Sequence, residues 1–412
     1  MAHVNISDSE GWHGFRGDLA ARMGRVHGEG LGRFLRELEV IEGARVKYQG
    51  RELVHFASND YLGLALEPRL RQAGMEGVRS WGAGSGASRL ISGSLGVHHE
   101  LERALASFKR TESALVFGSG YTAALGVLPA LLERGDLVVL DRLAHACLVD
   151  GARLSGAKLR VFRHNDTGSL ESVLRQHRDA EKSAGREPSR VLVVTESLFS
   201  MDGDVAPLRE IVEVKERYGA WLMVDEAHAT GVLGSDRRGL VDEYGMGDRV
   251  EVQMGTLGKA LGAGGGYIAG ARVLTEWLVN RARSFIFSTA PVPAQAAAAL
   301  EAVKLVDSEV GEARCSLLWD RVHQVRRVVS AAGWLVPETA SPILPLVIGG
   351  EEVAVDCFQR LIERGFFVPA IRYPSVHRGQ ARLRLTVSAT HTAEQVERVG
   401  DALRRVRLEV GL

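Results

Sequence analysis

The feature that most restricts the fold is a series of short, mostly apolar runs, each ending at a polar or glycine-rich motif. They are LVVL (137–140), LRVF (159–162), VLVVT (191–195), WLMV (221–224) and VEVQM (250–254). Continuous rather than alternating apolarity is the pattern of strands buried on both faces. Helical stretches such as 167–178 and 207–218 lie between them. Strands alternating with helices predict βαβ units and a mostly parallel sheet with helices on both faces. An earlier helix is expected at 97–110, where Leu101, Leu105 and Phe108 share one face. Beyond residue 291 the pattern changes. A long helical region (293–332) precedes ILPLVI (343–348), a helix near 352–364, RLRLTV (382–387) and a helix at 392–408. The expectation is an α/β protein in three parts. These are an N-terminal arm over 1–50 with a helix near 30–39, a large α/β domain over 51–300, and a smaller α+β domain over 301–412.

Composition removes several function classes. The 51 basic residues balance 51 acidic ones, which argues against nucleic acid or an anionic membrane as main partner. Residues 113–132 are uncharged, but Gly118, Gly120, Gly126 and Pro129 make them a strand, a turn and a buried helix rather than a membrane span. Cys147, Cys315 and Cys357 are odd in number and far apart, without zinc or disulfide spacing, so a reducing, cytoplasmic setting and no metal site are expected. The first fifteen residues carry His3, Asp8, Glu10 and His13 and no apolar run, which predicts no secretory leader. Glycine is the outlier, at 47 of 412 residues. Fifteen of these fall in 82–96, 118–126 and 255–270, and the expected reason is close approach of backbone to a ligand.

Four motifs at strand ends carry chemistry. Asp225 follows WLMV directly, at the carboxyl end of a strand, where open α/β sheets bind ligands. It reads equally as a helix cap or as an anion awaiting a cation such as a protonated pyridine nitrogen. Lys259 lies in GTLGKALG, followed by Gly264–Gly266. The P-loop pattern fails, since Gln253 and Ala260 stand where glycine and Ser/Thr are needed. What remains is a lysine in an apolar, glycine-lined setting, suited to Schiff-base chemistry. Gly118, Ser119, Gly120, Tyr121 and Thr122 follow the strand ALVF and read as a tight turn or as a phosphate cradle at a helix start. His145, just past LVVL, is either a core histidine or a ring able to stack on a flat cofactor. A lysine amine, a carboxylate, a flat histidine and a phosphate cradle at neighbouring strand ends are the set that pyridoxal phosphate requires.

With these residues in place, the chain resembles the α-oxoamine synthases, pyridoxal-phosphate enzymes that condense an amino acid with an acyl thioester. The resemblance runs from about residue 30 to the C-terminus. It rests on SNDYLGL (58–64), GAGSGASRLISG (82–93), DRLAHACL (141–148), ESLFSMDGD (196–204), VDEAHATG (224–231), TLGKALG (256–262), FST (287–289) and RLRLT (382–386). It implies an aspartate-aminotransferase-like fold (fold type I) with pyridoxal 5'-phosphate as cofactor. In that resemblance Lys259 holds the cofactor, Asp225 pairs with the ring nitrogen, His228 bonds the ring hydroxyl and His145 stacks on the ring. Gly120, Tyr121 and Thr256 surround the phosphate and Ser200 lies near the ring. Ser288 and Thr289 would be lent by a partner subunit, implying a homodimer with shared sites. Arg372, in AIRYP, would bind the substrate carboxylate, with Asn59 and Arg33 near the substrate.

Departures narrow the activity. Arg89-Leu90 in place of Arg-Asn argues against succinyl-CoA as donor, and Gly120-Tyr121-Thr122 in place of Cys-Phe-Asp argues against a glycine C-acetyltransferase. Ala124 replaces a frequent asparagine near the cradle. The expected reaction is condensation of L-alanine with a pimeloyl thioester, as in biotin biosynthesis. The alternative is another activity of the same family, serine palmitoyltransferase-like or glycine C-acetyltransferase-like, with a different acyl donor.

Overall fold

The computed structural model describes residues 10–338 and 341–412. The expectation drawn from His3 and Asp8 therefore lies outside the described residues. A helix, Glu10–Gly28, is followed by irregular chain and then by three antiparallel strands, β1 (Glu39–Glu42), β2 (Arg45–Tyr48) and β3 (Arg51–His55). The helix expected near 30–39 does not form. Gly30 takes a φ of +69°, and Arg372 draws the carbonyls of Gly30 and Gly32 onto its guanidinium, away from helical bonding.

The main sheet has seven strands. In chain order they are β4 (Ser113–Phe117), β5 (Leu137–Asp141), β6 (Lys158–Phe162), β7 (Val191–Glu196), β8 (Trp221–Asp225), β9 (Val252–Thr256) and β10 (Gly266–Gly270). Their order across the sheet is β4-β10-β9-β8-β7-β5-β6. Strands β5 to β9 pair in parallel, and β10 runs antiparallel to both β4 and β9. The expected parallel sheet is present, and the apolar runs are its strands. β5 and β7 are buried along their whole length. β6 is the exception: as the edge strand, it leaves Arg160 and Val161 exposed. β10, whose apolar stretch is only Tyr267 to Ala269 between two glycines, was not expected.

The C-terminal part contains β11 (Ile343–Gly349), β12 (Phe366–Phe367), β13 (Ala370–Ile371) and β14 (Ala381–Thr386). Strands β11, β14 and β13 form a separate antiparallel sheet against which the helix Glu351–Glu363 packs, and the helix Ala393–Glu409 packs on that helix. β12 pairs in parallel with β3, so the N-terminal hairpin is continued by a C-terminal strand.

A charged staple holds three strand ends together. His164, just after β6, places Nδ1 2.8 Å from Asp141 at the end of β5 and Nε2 2.6 Å from Asp204 in the loop after β7. Burial lowers the pKa of this imidazole, but the two carboxylates outweigh burial and raise it to about 10. The unfolded value is near 6.5. The staple therefore contributes fully below about pH 6.5 and is lost as pH rises through 10. We expect His164→Gln to lower the urea-unfolding free energy by roughly 3 kcal/mol at pH 6.5. The same comparison at pH 10 should give a smaller difference.

Candidate active site

The site lies at the carboxyl ends of the parallel strands. Asp225 is the last residue of β8 and Glu196 the last of β7, and they pair in register. Both are buried. Asp225 Oδ1 accepts the amide of Ala227 at 2.9 Å. Among the described residues, no cationic side chain makes an ion pair with it. Burial raises the pKa of Asp225, and the opposing charge of Lys259 works against that rise. Burial also raises Glu196 well above its usual range, and the Asp225 carboxylate adds to the effect. Two carboxyl groups side by side in a dry site are held toward a single shared charge.

Lys259 reaches this cluster from the turn after β9. Its Nζ lies 2.7 Å from His228 Nε2. Burial lowers the lysine pKa, opposed by Asp225 and Glu196. The same burial holds His228 well below the ordinary histidine value. The result is an amine closer to its reactive neutral form beside a neutral imidazole. His228 Nδ1 in turn contacts the hydroxyl of Tyr61 at 2.6 Å.

His145 caps the helix Ala146–Ser155. Its amide donates to Glu196 Oε1 at 2.6 Å, and its Nδ1 accepts the amide of Cys147 at 3.2 Å. With Nδ1 accepting, a neutral ring carries its proton on Nε2. Partial burial lowers its pKa, although the residue remains exposed to solvent.

The turn after β4 opens the helix Gly120–Leu131. Ser119 and Thr122 form a reciprocal cap, the Ser119 hydroxyl accepting the Thr122 amide at 3.1 Å. Their hydroxyls are thereby used within the turn. The amides of Gly120 and Tyr121 are left for a bound anion at a positive helix end. Thr256 stands beside Gly120, its Cβ 3.6 Å from where a side chain on Gly120 would begin. Tyr121 points elsewhere: its hydroxyl bonds Asp150 at 2.6 Å.

The glycine expectation is corrected in part. A Cβ on Gly266 would sit 2.4 Å from the Gly120 amide nitrogen, and one on Gly262 2.4 Å from that of Ala65. These glycines admit neighbouring protein backbone, not a ligand.

Lys259, Asp225, His228, His145, Thr256 and Gly120 therefore come together. Asn59 also reaches the cluster through Tyr61. Arg372 and Arg33 do not. They line a separate surface cavity of about 570 Å³, where Arg372 is occupied by the carbonyls of Gly30 and Gly32. Ser288 and Thr289 lie exposed beside exposed Phe287, with Thr289 bridged to Ser88.

Three residues of the site were not singled out in the sequence. Arg384, in RLRLT, is buried and donates to Asn59 Oδ1, to the Ser200 carbonyl at 2.7 Å and to Thr386. Tyr61, in SNDYLGL, is fully buried, and Glu196 opens ESLFSMDGD. Each lies within a motif that carries the resemblance, where polar neighbours such as Asp60, Asp202 and Arg382 left no local signal to single it out.

The geometry is that of a lysine-based cofactor site, and comparison with known proteins agrees. The sequence profile of the Aminotransferase class I and II family matches residues 51–403. An 8-amino-7-oxononanoate synthase of Geobacter sulfurreducens is 46% identical, covering 96% of this chain and 99% of its own. This chain belongs to the α-oxoamine synthases of that aminotransferase family. A second such relative, from Anaeromyxobacter dehalogenans, is 47% identical over 92% of each chain. Among solved structures, the serine palmitoyltransferase of Sphingomonas wittichii superposes with a TM-score of 0.87 at 29% identity, over 100% of this chain and 99% of its own. A serine palmitoyltransferase from S. paucimobilis, solved with a pyridoxal-phosphate–myriocin aldimine, gives 0.88 at 29% identity over 96% and 98%. Among the described residues, no helix is long and apolar enough to cross a membrane.

The segment from Asp225 at the end of β8 to His228 is held by buried contacts. Glu226, fully buried, does this by accepting the ammonium of Lys109 and the amides of Leu240 (2.7 Å) and Val241 (3.1 Å). Lys109→Met would leave that carboxylate buried without its cation. We expect a loss of about 3–5 kcal/mol in urea unfolding. The double variant Lys109→Met/Glu226→Gln should recover part of it.

Proposed function

We propose that this chain is an 8-amino-7-oxononanoate synthase, joining L-alanine to a pimeloyl thioester with release of CO2 and the thiol. The convergence of Lys259, Asp225, His228 and His145 at adjoining strand ends carries the reading. Identities of 46% and 47% to enzymes of that name support the choice of substrates. The cofactor is pyridoxal 5'-phosphate. A buried carboxylate with no ion-pair partner among the described residues, a lysine of lowered pKa and a helix N-terminus beside Thr256 all fit that group. When bound, it supplies an electron sink for charge developing at the amino-acid α-carbon.

The chain's own residues do the rest. Lys259 holds the cofactor and, once displaced, takes the α-proton and later returns one. Asp225 holds a proton at the ring nitrogen, which keeps the sink strong. His228 meets the ring hydroxyl through Nε2. His145 covers the ring face and presents its Nε2–H to the acyl carbonyl oxygen. Gly120, Tyr121 and Thr256 hold the phosphate by backbone amides and a hydroxyl, and Ser200 lies near the ring. The α-carbon loses a proton, bonds the acyl carbon as the thiolate leaves, and then loses its carboxylate as CO2.

For the substrate carboxylate we favour Arg384 with Asn59 over Arg372, because Arg384 is buried in the site. Arg33 remains a peripheral candidate. The working unit is a homodimer in which Ser288 and Thr289 reach the partner's phosphate, a reading supported by the exposure of Phe287 beside them. Three free, buried cysteines suit the cytoplasm.

The test is CoA release from cofactor-loaded protein across several amino acids and acyl thioesters. L-Alanine with pimeloyl-CoA should lead, and preference for L-serine with palmitoyl-CoA would overturn the reading. Lys259→Ala should abolish both the visible absorbance of the bound cofactor and turnover. Arg384→Ala should raise the KM for L-alanine about 100-fold, as expected for loss of a charged hydrogen-bonding partner of 2–3 kcal/mol. Arg372→Ala should change it by less than about threefold.

A further inference from the structure

Tyr61 has no part in the reaction described above, yet its hydroxyl joins two halves of the site. Its oxygen lies 2.6 Å from His228 Nδ1 and 3.3 Å from Asn59 Oδ1. His228 Nε2 lies 2.7 Å from Lys259 Nζ. Arg384 donates from both terminal nitrogens to Asn59 Oδ1, at 3.2 Å each. Lysine, histidine, tyrosine and asparagine thus form one chain of contacts, pinned at its far end by an arginine.

The direction of that chain follows from counting donors. A guanidinium only donates, so the Asn59 atom facing it is the carbonyl oxygen, which only accepts. Tyr61 has one hydroxyl hydrogen. Pointed at Asn59, it frees the phenolic oxygen to accept from His228 Nδ1–H. Nε2 then offers its lone pair to the lysine amine. This polarity makes each contact a hydrogen bond.

An oxygen bearing negative charge at Nε2 would require the opposite polarity. The ring hydroxyl of a bound cofactor, when ionised, is such an oxygen. Tyr61 accommodates it by turning its hydrogen to Nδ1 while the imidazole proton resides on Nε2. Each state holds one ring proton and one hydroxyl proton, so no charge is gained or lost. Burial pushes the Tyr61 hydroxyl up to about 12 and holds His228 well below its usual value, so both groups stay neutral.

We propose that Tyr61 is a positioning residue whose reversible hydroxyl lets His228 exchange tautomers, accepting at Nε2 from free Lys259 and donating at Nε2 to the bound cofactor. The proposal rests on the function proposed above only through the identity of that cofactor.

The experiment is 15N NMR of histidine-labelled protein, with His228 assigned by His228→Gln, before and after loading with pyridoxal 5'-phosphate. In the wild-type protein we expect the proton on Nδ1 before loading and on Nε2 after it. In Tyr61→Phe, which keeps the ring in the core, Nδ1 has no acceptor, so we expect Nε2–H in both states. The pH midpoint of the visible cofactor band should also shift in the variant, by about half a unit or more. The proposal is overturned if wild-type His228 keeps one tautomer in both states, or if Tyr61→Phe still exchanges. The wild-type measurement stands even if the variant misfolds. Loading without a visible band would refute the proposed function instead, and Nε2–H in the cofactor-free protein would by itself overturn the relay.

Discussion

A carboxylate buried at the end of a central strand must be matched by positive charge, and much of this protein is arranged around Asp225. Water is excluded there, so an isolated anion would cost several kcal/mol. Lys259 opposes that cost from the turn after β9, and Glu196 aggravates it from the adjoining strand. Burial sets the direction of each shift, and the opposite charges of Lys259 and the two carboxylates temper it. The acids hold protons longer, the lysine gives one up sooner, and His228 stays neutral.

A second layer of paired charges holds the strand-end loops. Glu226 ties the loop after β8 to Lys109 and to the amides of Leu240 and Val241. His164 joins the end of β5 to the loop after β7. Arg384 connects the C-terminal sheet to Asn59 and Ser200 in the large α/β part. Loops at the carboxyl ends of parallel strands have few backbone partners of their own, so buried ion pairs and charged hydrogen bonds take over that task.

How legible this was in the sequence differed from element to element. β5 and β7 could be read because strands covered on both faces must be apolar throughout. β10 could not, because its apolar stretch, Tyr267 to Ala269 between two glycines, is too short to show a period and its position between β4 and β9 is a matter of pairing. The helix expected near 30–39 failed because Arg372, more than 330 residues along the chain, captures the carbonyls it would need. Lys259, Asp225, His228 and His145 stood out because unusual residues follow apolar strands directly. Arg384 did not, since an arginine within a strand looks like an exposed position until Asn59 and Ser200 are brought to it.

The sequence by itself determined the class of fold, the parallel core and the strand-end motifs that meet at the site, because apolar runs and strand-end motifs are local properties of the chain. Only the tertiary structure decided that Arg384 meets Asn59 and Ser200 while Arg372 meets Gly30 and Gly32, which glycines admit backbone, and how Tyr61 and Glu196 enter the network. Those depend on distances between segments far apart in sequence, and burial sets protonation and hydrogen-bond direction only after the segments have met.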